Sequence, residues 1–332
     1  MKTELIAMDT AHRDVVGYSS SFSENGNKHN NDQRLQNVML TTLFTSSYIK
    51  DLDRAVWMRR SVIRFLKDPC RHLIAVPNKD IPAFKRQFRD DRLVEIVSQS
   101  DAVSKVFYPD MLHGLASNFA KSQLWRFESH SGRPGWIIQQ IAKLNCTHWI
   151  KGGALIFIDS DVIFTRPFDL HELGINSSER ALIRITPQDE ASRHRNHLIK
   201  AREILALPAG PTNHHYLSNP AVWYPDWIEA LHNHIELTSN TDWQTALFRA
   251  GHISEFTIYG AFVEEVLKPA NLQLTTTPYH SGAWDLAALN NLKTGNPDVA
   301  DATHHGLVLV VQSNIGIPLS DYEEILRKII DA

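Results

Sequence analysis

The chain has 332 residues, of which 43% are hydrophobic and 21% charged, which is typical of a globular protein with ample material for a core. The formal net charge of -3 gives no concentrated basic surface, so we expect no nucleic-acid partner. The two cysteines give no support to a disulfide scaffold, and no apolar run reaches the roughly 18 residues of a membrane-spanning helix.

The sequence predicts a polar tail followed by one folded domain. Residues 1–38 are rich in serine, asparagine and charged side chains, too polar to bury a core, so we expect disorder there. Residues 39–332 show neither an internal repeat nor a linker, which favours a single domain. The first residues lack the pattern of a secretory signal, so the expected location is cytoplasmic.

Strand and helix patterns alternate in the first half of the domain. Residues 38–45 read as a strand, and Asp51 begins a predicted helix whose buried face includes Leu52, Val56 and Ile63. The following predicted elements are strands at 72–76 and 93–97 and a helix at 135–144. Such alternation predicts a parallel sheet covered by helices.

The second half of the domain mixes shorter elements. They comprise predicted strands at 181–185, 221–224, 272–276 and 307–311, and helices at 197–205, 226–237, 242–250, 259–267 and from 321 onwards.

Two carboxylates follow the most apolar strand of the chain. Residues 154–158 are apolar without interruption, as in the centre of a sheet covered on both faces, and Asp159 and Asp161 come directly after them. If the backbone stays extended, both side chains point the same way and repel each other unless a cation or a shared proton intervenes. A divalent metal that leaves open positions for phosphate oxygens suits this pair.

The order of several segments resembles the metal-binding Asp-x-Asp motif and surroundings of GT-A-fold glycosyltransferases. More narrowly, the chain is similar over residues 39–318 to a bacterial family of glycosyltransferase-like proteins described only as a domain of unknown function. The segments that carry the resemblance are 43–48, 76–80, 135–140, 159–168 and 254–260. Phe256 departs from the family pattern, where tyrosine is expected. The resemblance implies an α/β fold with a GT-A-like, Rossmann-type mixed sheet flanked by helices.

The resemblance also implies transfer of a sugar from a nucleotide-sugar donor, a UDP- or GDP-sugar, to a glycan or lipid-linked acceptor, with peripheral contact at the inner face of a membrane. Mn²⁺ or Mg²⁺ would bridge Asp161 and Asp159 to the diphosphate, and would stabilise the charge of the leaving group. His280 is the expected third ligand, with His304 and His305 as competitors.

Polar residues near the carboxyl ends of the strands, and two on the helix before the motif, are the candidate nucleotide contacts. Those near the strand ends are Thr45, Ser47, Tyr48, Asp80 and Ser160, and those on the helix are Gln140 and Lys143. Two of them have an alternative: Asp80 also suits a helix N-terminus, and Lys143 also suits an exposed helix face. Trp284 is the first candidate for stacking on a sugar, and residues 312–314 for closing over the diphosphate.

An inverting transfer needs a carboxylate that takes the proton of the acceptor hydroxyl. Glu255 is the first candidate and Asp242 the substitute, whereas a retaining enzyme needs neither. Glu255 also suits a capping or salt-bridged residue near a helix start. Two other classes stay open. One is a haloacid-dehalogenase-like phosphohydrolase with Asp159 as nucleophile and Asp161 as acid/base, although its usual motif belongs to the first strand. The other is a carbohydrate-binding protein without catalysis.

Overall fold

The computed structural model describes residues 41–103, 134–175, 178–186, 194–276, 279–283, 290, 306–313 and 316–331. The predicted tail at 1–38 lies outside the described residues, and so do Trp284, His304, His305 and Asn314. In the described ranges no helix combines the length and the apolar character needed to cross a bilayer.

Five strands form the central sheet, in the order β3-β2-β1-β4-β7. Strands β1 to β4 are mutually parallel, whereas β7 runs antiparallel to β4. The strands of this sheet are β1 (Thr42–Ser46), β2 (Arg71–Val76), β3 (Val94–Ser98), β4 (Leu155–Phe157) and β7 (Ala221–Trp223). Their side chains are mostly buried, as expected for strands covered on both faces.

Two smaller sheets complete the β structure, one of three strands in the order β5-β10-β9 and one of the pair β6-β8. Their members are β5 (Val162–Phe164), β6 (Arg180–Ile183), β8 (Leu272–Thr275), β9 (His280–Ala283) and β10 (Val308–Val311). Strand β5 pairs antiparallel with β10, so the chain changes sheet directly after the two aspartates.

Nine α-helices occur in the described ranges. They are α1 (Leu52–Phe65), α2 (Ile81–Gln87), α3 (Gln99–Ala102), α4 (Pro134–Leu144), α5 (Arg195–Ile204), α6 (Pro225–Ser239), α7 (Trp243–Ala250), α8 (Glu255–Ala261) and α9 (Glu323–Asp331). A π-helical turn, Phe262–Leu267, continues α8. The predicted α/β architecture, with a mixed sheet flanked by helices, is confirmed.

The buried face of α1 matches the predicted one in part. Leu52 and Val56 are half-buried and pack against the core, whereas Ile63 is 63% exposed. Ala55, Met58, Val62 and Phe65 are buried as well, because the side that meets the core is wider than the predicted residues. Two strands of the smaller sheet, β5 and β9, were not predicted.

Helix α8 packs closely against the segment that leads into β7. The ring of Tyr216 lies where a side chain at Gly260 would stand, and its hydroxyl donates to Glu264 Oε2 at 3.0 Å. Tyr216 is buried, and the residues that follow it, Leu217 to Asn219, reach the carboxyl edge of the central sheet. Glycine at position 260 therefore sets how near this segment lies to α8.

We expect Gly260→Ala to lower the free energy of unfolding by about 1–3 kcal/mol, because its Cβ overlaps the Tyr216 ring in a packed core. Replacing glycine by alanine in an exposed helix would instead raise the free energy of unfolding by about 0.5–1 kcal/mol. A loss of stability therefore indicates the overlap with Tyr216. Urea unfolding measures the change. The control is Gly152→Ala, whose Cβ meets nothing within 4 Å and should change stability by less than about 0.5 kcal/mol.

Candidate functional site

Asp159 and Asp161 lie at the carboxyl edge of the central sheet, as expected. Strand β4 ends at Phe157, and the chain turns at Ser160 and Asp161 before β5 begins. The backbone therefore does not stay extended through the motif, which was the condition for the two side chains to point the same way. Both carboxylates nevertheless line one cavity, because the turn brings them to the same wall.

The cavity beside the two aspartates has a volume of about 420 Å³. Its wall combines carboxylates, imidazoles and amides with three apolar side chains. The lining residues are Asp159, Asp161, His194, His215, Leu217, Ser218, Asn219, Phe256, Val310 and Gln312. A mainly apolar concave surface with a few converging polar groups is the usual form of a small-molecule site.

Asp159 is held through both of its carboxylate oxygens. Lys143 Nζ donates to Oδ1 at 2.8 Å, and Asn219 Nδ2 donates to Oδ2 at 2.8 Å. Asn219 also accepts from the backbone N–H of Asp159 at 3.2 Å, so it contacts this residue twice. Helix α4 and the segment before β7 thus fix the orientation of the carboxylate from two sides.

Besides Asp159, Lys143 contacts a second acid, the buried Glu255. Its ammonium group donates to Glu255 Oε1 at 2.9 Å, and the amide of Gln140, one turn earlier on α4, lies against the same carboxylate. Burial alone would lower the pKa of Lys143, but the charges of Asp159 and Glu255 outweigh it and raise this pKa above its usual value. Burial raises the pKa of Glu255, and Lys143 opposes that effect.

This placement changes the interpretation of Lys143 and Gln140. Lys143 is only 7% exposed, so the alternative of an exposed helix lysine is wrong. Its ammonium group is engaged by two carboxylates, and a contact with a donor phosphate stays a prediction. Gln140 is buried as well and touches Glu255, so its contact with a nucleotide also stays a prediction.

Asp161 has a different environment from Asp159. The backbone N–H of Ser313, just after β10, donates to Asp161 Oδ2 at 3.0 Å. Within the described ranges no lysine or arginine pairs with it. Burial, and then the charge of Asp159, raise the pKa of Asp161 to about 7. Asp51 adds to the negative charge nearby, although Arg54 partly neutralises it with a 2.9 Å ion pair.

A buried polar chain under the sheet edge positions the motif. Thr45 Oγ1 donates to the carbonyl of Ile158 at 2.7 Å and lies 2.9 Å from His72 Nε2. Thr45 can donate only one proton, so His72 must carry a proton on Nε2. Burial lowers the pKa of His72 to about 3, and Arg59 contributes in the same direction. The neutral ring thereby fixes the residue that precedes Asp159.

Most of the predicted nucleotide contacts at the strand ends are buried or hydrogen-bonded to other parts of the protein. Thr45 is fully buried, so its placement does not favour a ligand contact, and Ser47 and Ser160 are also buried. Asp80 lies at the start of α2 as expected, but its carboxylate accepts from the backbone N–H of Ile49. Tyr48 is partly exposed near Asp51 and Asp161. Their roles with a nucleotide stay predictions.

The remaining candidates lie away from the cavity wall or beyond what is described. Asp242 caps α7 by accepting from the backbone N–H of Thr245 at 2.9 Å. His280 pairs in register with Val308, at the opposite end of β10 from Val311, which bonds the Asp161 carbonyl. The side chain of His280 is not described, so its role as a metal ligand stays a prediction.

Sequence reasoning missed Asn219 and the two histidines of the cavity. The rings of His194 and His215 lie 4.4 Å apart, and His197 and His252 continue the cluster behind them. These side chains come from loops and from the start of α5, where no pattern marks them. A polar residue before proline, as in Asn219-Pro220, is a turn signal that could have drawn attention to Asn219.

The residues fit a divalent cation that takes most of its ligands from a substrate. In the part of the chain that the structure describes, no three histidine, cysteine or acidic side chains converge as a complete metal cage. Mg²⁺ and similar hard cations commonly use one or two carboxylates, with phosphate oxygens and water as the other ligands. Asp161, which has no cationic partner in the described ranges, is the best placed carboxylate.

We expect the stabilisation by the neutral His72–Thr45 contact to be complete above the ordinary pKa of histidine and to be lost gradually below it. His72 stays neutral when folded but binds a proton below pH of about 6.5 when unfolded. Each pH unit of acidification therefore lowers the free energy of unfolding by up to about 1.4 kcal/mol, until the pH reaches about 3. His72→Gln should flatten this part of the curve of unfolding free energy against pH. The exposed His148→Gln serves as control and should leave the slope unchanged.

Asn219→Ala should lower the free energy of unfolding by about 1–3 kcal/mol, because it leaves the N–H and one carboxylate oxygen of Asp159 without their partner. Chemical denaturation measures the loss. Asn233→Ala, at an exposed position of α6, is the matched control and should lose nothing. Equal stability of Asn219→Ala and the natural protein would contradict the prediction that the hydrogen bonds between Asn219 and Asp159 stabilise the fold.

Solved structures with a similar chain course include several glycosyltransferases. A galactosyltransferase, LgtC, in complex with donor and acceptor sugar analogues is 10% identical, with 87% of this chain and 95% of that chain covered and a TM-score of 0.44. Mouse xyloside xylosyltransferase 1 is 12% identical, with 84% and 99% covered and a TM-score of 0.38. The bifunctional glycosyltransferase WbbM is 10% identical, with 88% and 50% covered and a TM-score of 0.46.

Similarity this low does not carry an activity from those proteins to this chain. No curated protein sequence matches the chain. A family model does match, over residues 32–331, and its description is a family of unknown function, DUF6492. The resemblance to a family described only by its unknown function is thereby confirmed, and the chain belongs to this family.

Proposed function

We propose that the protein is a metal-dependent glycosyltransferase that takes a sugar from a nucleotide-sugar donor. One observation carries the proposal: Asp161 and Asp159 share a cavity wall at the carboxyl edge of a mostly parallel sheet, and only Asp159 has a cationic partner in the described ranges. A partly buried carboxylate beside another negative charge lacks a counter-charge. A divalent cation with a diphosphate would supply it.

The chain's own residues divide the work as follows. Asp161 would hold the cation, and Asp159, in the orientation that Lys143 and Asn219 give it, would be the second ligand from the same wall. A bound divalent cation would stabilise the negative charge of the leaving nucleoside diphosphate. Phe256, Leu217 and Val310 would keep water from the cavity, and His194, His215, Ser218 and Gln312 offer polar groups for sugar hydroxyls.

The finer assignments follow from the resemblance of the sequence. We propose Mn²⁺ or Mg²⁺ as the cation, a UDP- or GDP-sugar carrying a hexose as the donor, and a glycan or lipid-linked acceptor. The same resemblance supports a role in polysaccharide assembly. We also propose a cytoplasmic protein with peripheral contact at a membrane.

The phosphohydrolase alternative fits the contacts less well. A nucleophilic Asp159 would have to direct an oxygen at a phosphorus atom, yet Lys143 and Asn219 each engage one of its two oxygens. The motif also follows the fourth strand along the chain. A carbohydrate-binding protein without catalysis differs by having no affinity for nucleotides, which the following experiment measures.

We expect Mn²⁺ together with one of UDP, GDP or CMP to raise the melting temperature, and Asp161→Asn to abolish the rise. A ligand at about 100 times its Kd adds about 2.7 kcal/mol to the stability of the native state. Asp90→Asn is the control, because Asp90 is exposed and precedes β3, at the opposite edge of the sheet. Stabilisation that survives in Asp161→Asn, or none with any nucleotide and Mn²⁺, would contradict the proposal.

A further inference from the structure

Glu255 lies behind the wall of the cavity. Glu255 is only 3% exposed and does not line the cavity, although its neighbour Phe256 does. A carboxylate that takes a proton from an acceptor must come within hydrogen-bond distance of the hydroxyl. The Lys143 ammonium group stands between Glu255 and Asp159, and also lies 5.0 Å from the centre of the Phe256 ring.

We propose that Glu255 is a positioning residue that acts through Lys143: it holds the ammonium group against Asp159 Oδ1 and makes no contact with substrate. With Asn219 on Oδ2, this fixes the Asp159 carboxylate at the cavity wall. The inference rests on the proposed function only in that Asp159 takes part in binding the cation. It replaces the expectation that Glu255 is the catalytic base.

The chain of contacts begins on the first turn of α8. Ser254 caps this helix by accepting from the backbone N–H of Thr257, and Glu255 is its first residue. The Glu255 backbone is therefore fixed by the helix start, and its carboxylate is fixed by Lys143 and Gln140. A group restrained at both ends is suited to hold a lysine in place but not to move toward an acceptor.

The net charge of the three side chains predicts how their variants change the stability of the protein. Asp159, Lys143 and Glu255 together carry a charge of about −1 when all three are ionised. Lys143→Met leaves the buried Glu255 and the half-buried Asp159 without their cation, which is strongly unfavourable, while Glu255→Gln in the same protein removes the buried charge. A side chain that only fills space would show no such compensation.

The first test measures unfolding without any ligand. Urea midpoints are compared for the natural protein, Lys143→Met, Glu255→Gln and the double variant, with Glu229→Gln, at an exposed position of α6, as control. We expect the largest loss in Lys143→Met and recovery of at least half of that loss in the double variant. If Glu255→Gln lowers the midpoint further in the Lys143→Met background, Glu255 does not act through Lys143.

The second test measures binding of Mn²⁺ alone, by calorimetric titration. Changes to residues that orient a metal ligand typically weaken metal binding by about 10–100-fold, so we expect Glu255→Gln to raise the Mn²⁺ Kd by about 10-fold. A catalytic base would leave this Kd unchanged and instead lower kcat of transfer by about 100–10,000-fold. An unchanged Kd with such a loss of kcat would overturn the proposal.

The two tests separate the inference from the proposed function. If the natural protein binds neither Mn²⁺ nor any nucleotide, the proposed function fails, and the urea midpoints alone decide whether Glu255 acts through Lys143. If Mn²⁺ binds and the double variant shows no recovery, the proposed function stands and the positioning role of Glu255 is wrong.

Discussion

The ammonium group of Lys143 lies between the carboxylates of Asp159 and Glu255, and the burial of Lys143 and Glu255 makes these contacts interdependent. A buried ammonium ion loses its hydration at a cost of several kcal/mol, and only close, hydrogen-bonded carboxylates repay it. These three residues come from α4, from the end of β4 and from the start of α8. The geometry of the candidate site therefore depends on an ion cluster that ties two helices to the edge of the central sheet.

The cluster leaves the two aspartates of the motif unequal. Asp159 is compensated by Lys143 and oriented by Asn219, whereas Asp161 receives one backbone hydrogen bond and has a raised pKa. One carboxylate is thus fixed by the protein itself, and under the proposed function a cation would complete the environment of the other. Preorganised charge of this kind lowers the reorganisation that binding would otherwise require, which is how many enzymes stabilise charged leaving groups.

Hydrophobic runs predicted the strands of the central sheet well, because β1, β2 and β4 are almost entirely buried, whereas β3 is largely half-exposed. The same reasoning located Asp159 and Asp161 at the sheet edge. It did not find Asn219, because the segment before β7 reaches the motif only through packing against α8. It left Glu255 open between a catalytic base and a salt-bridged residue near a helix start, of which the structure shows the ion pair. It gave Lys143 an exposed helix face as its alternative, since helical spacing does not say which face is covered.

The hydrogen bond from Ser313 to Asp161 joins residues that are 152 positions apart in the chain. Strand β5, which follows Asp161, likewise has β10 as its described partner. Contacts of such sequence separation form late, because the loop between them must first be closed at an entropic cost. On the ribosome, β1 to β4 can pair while β10 is still unmade, so the sheet edge would exist before β10 and Ser313 join it beside Asp161. The order of synthesis therefore keeps the candidate site unfinished until β10 and Ser313 have emerged.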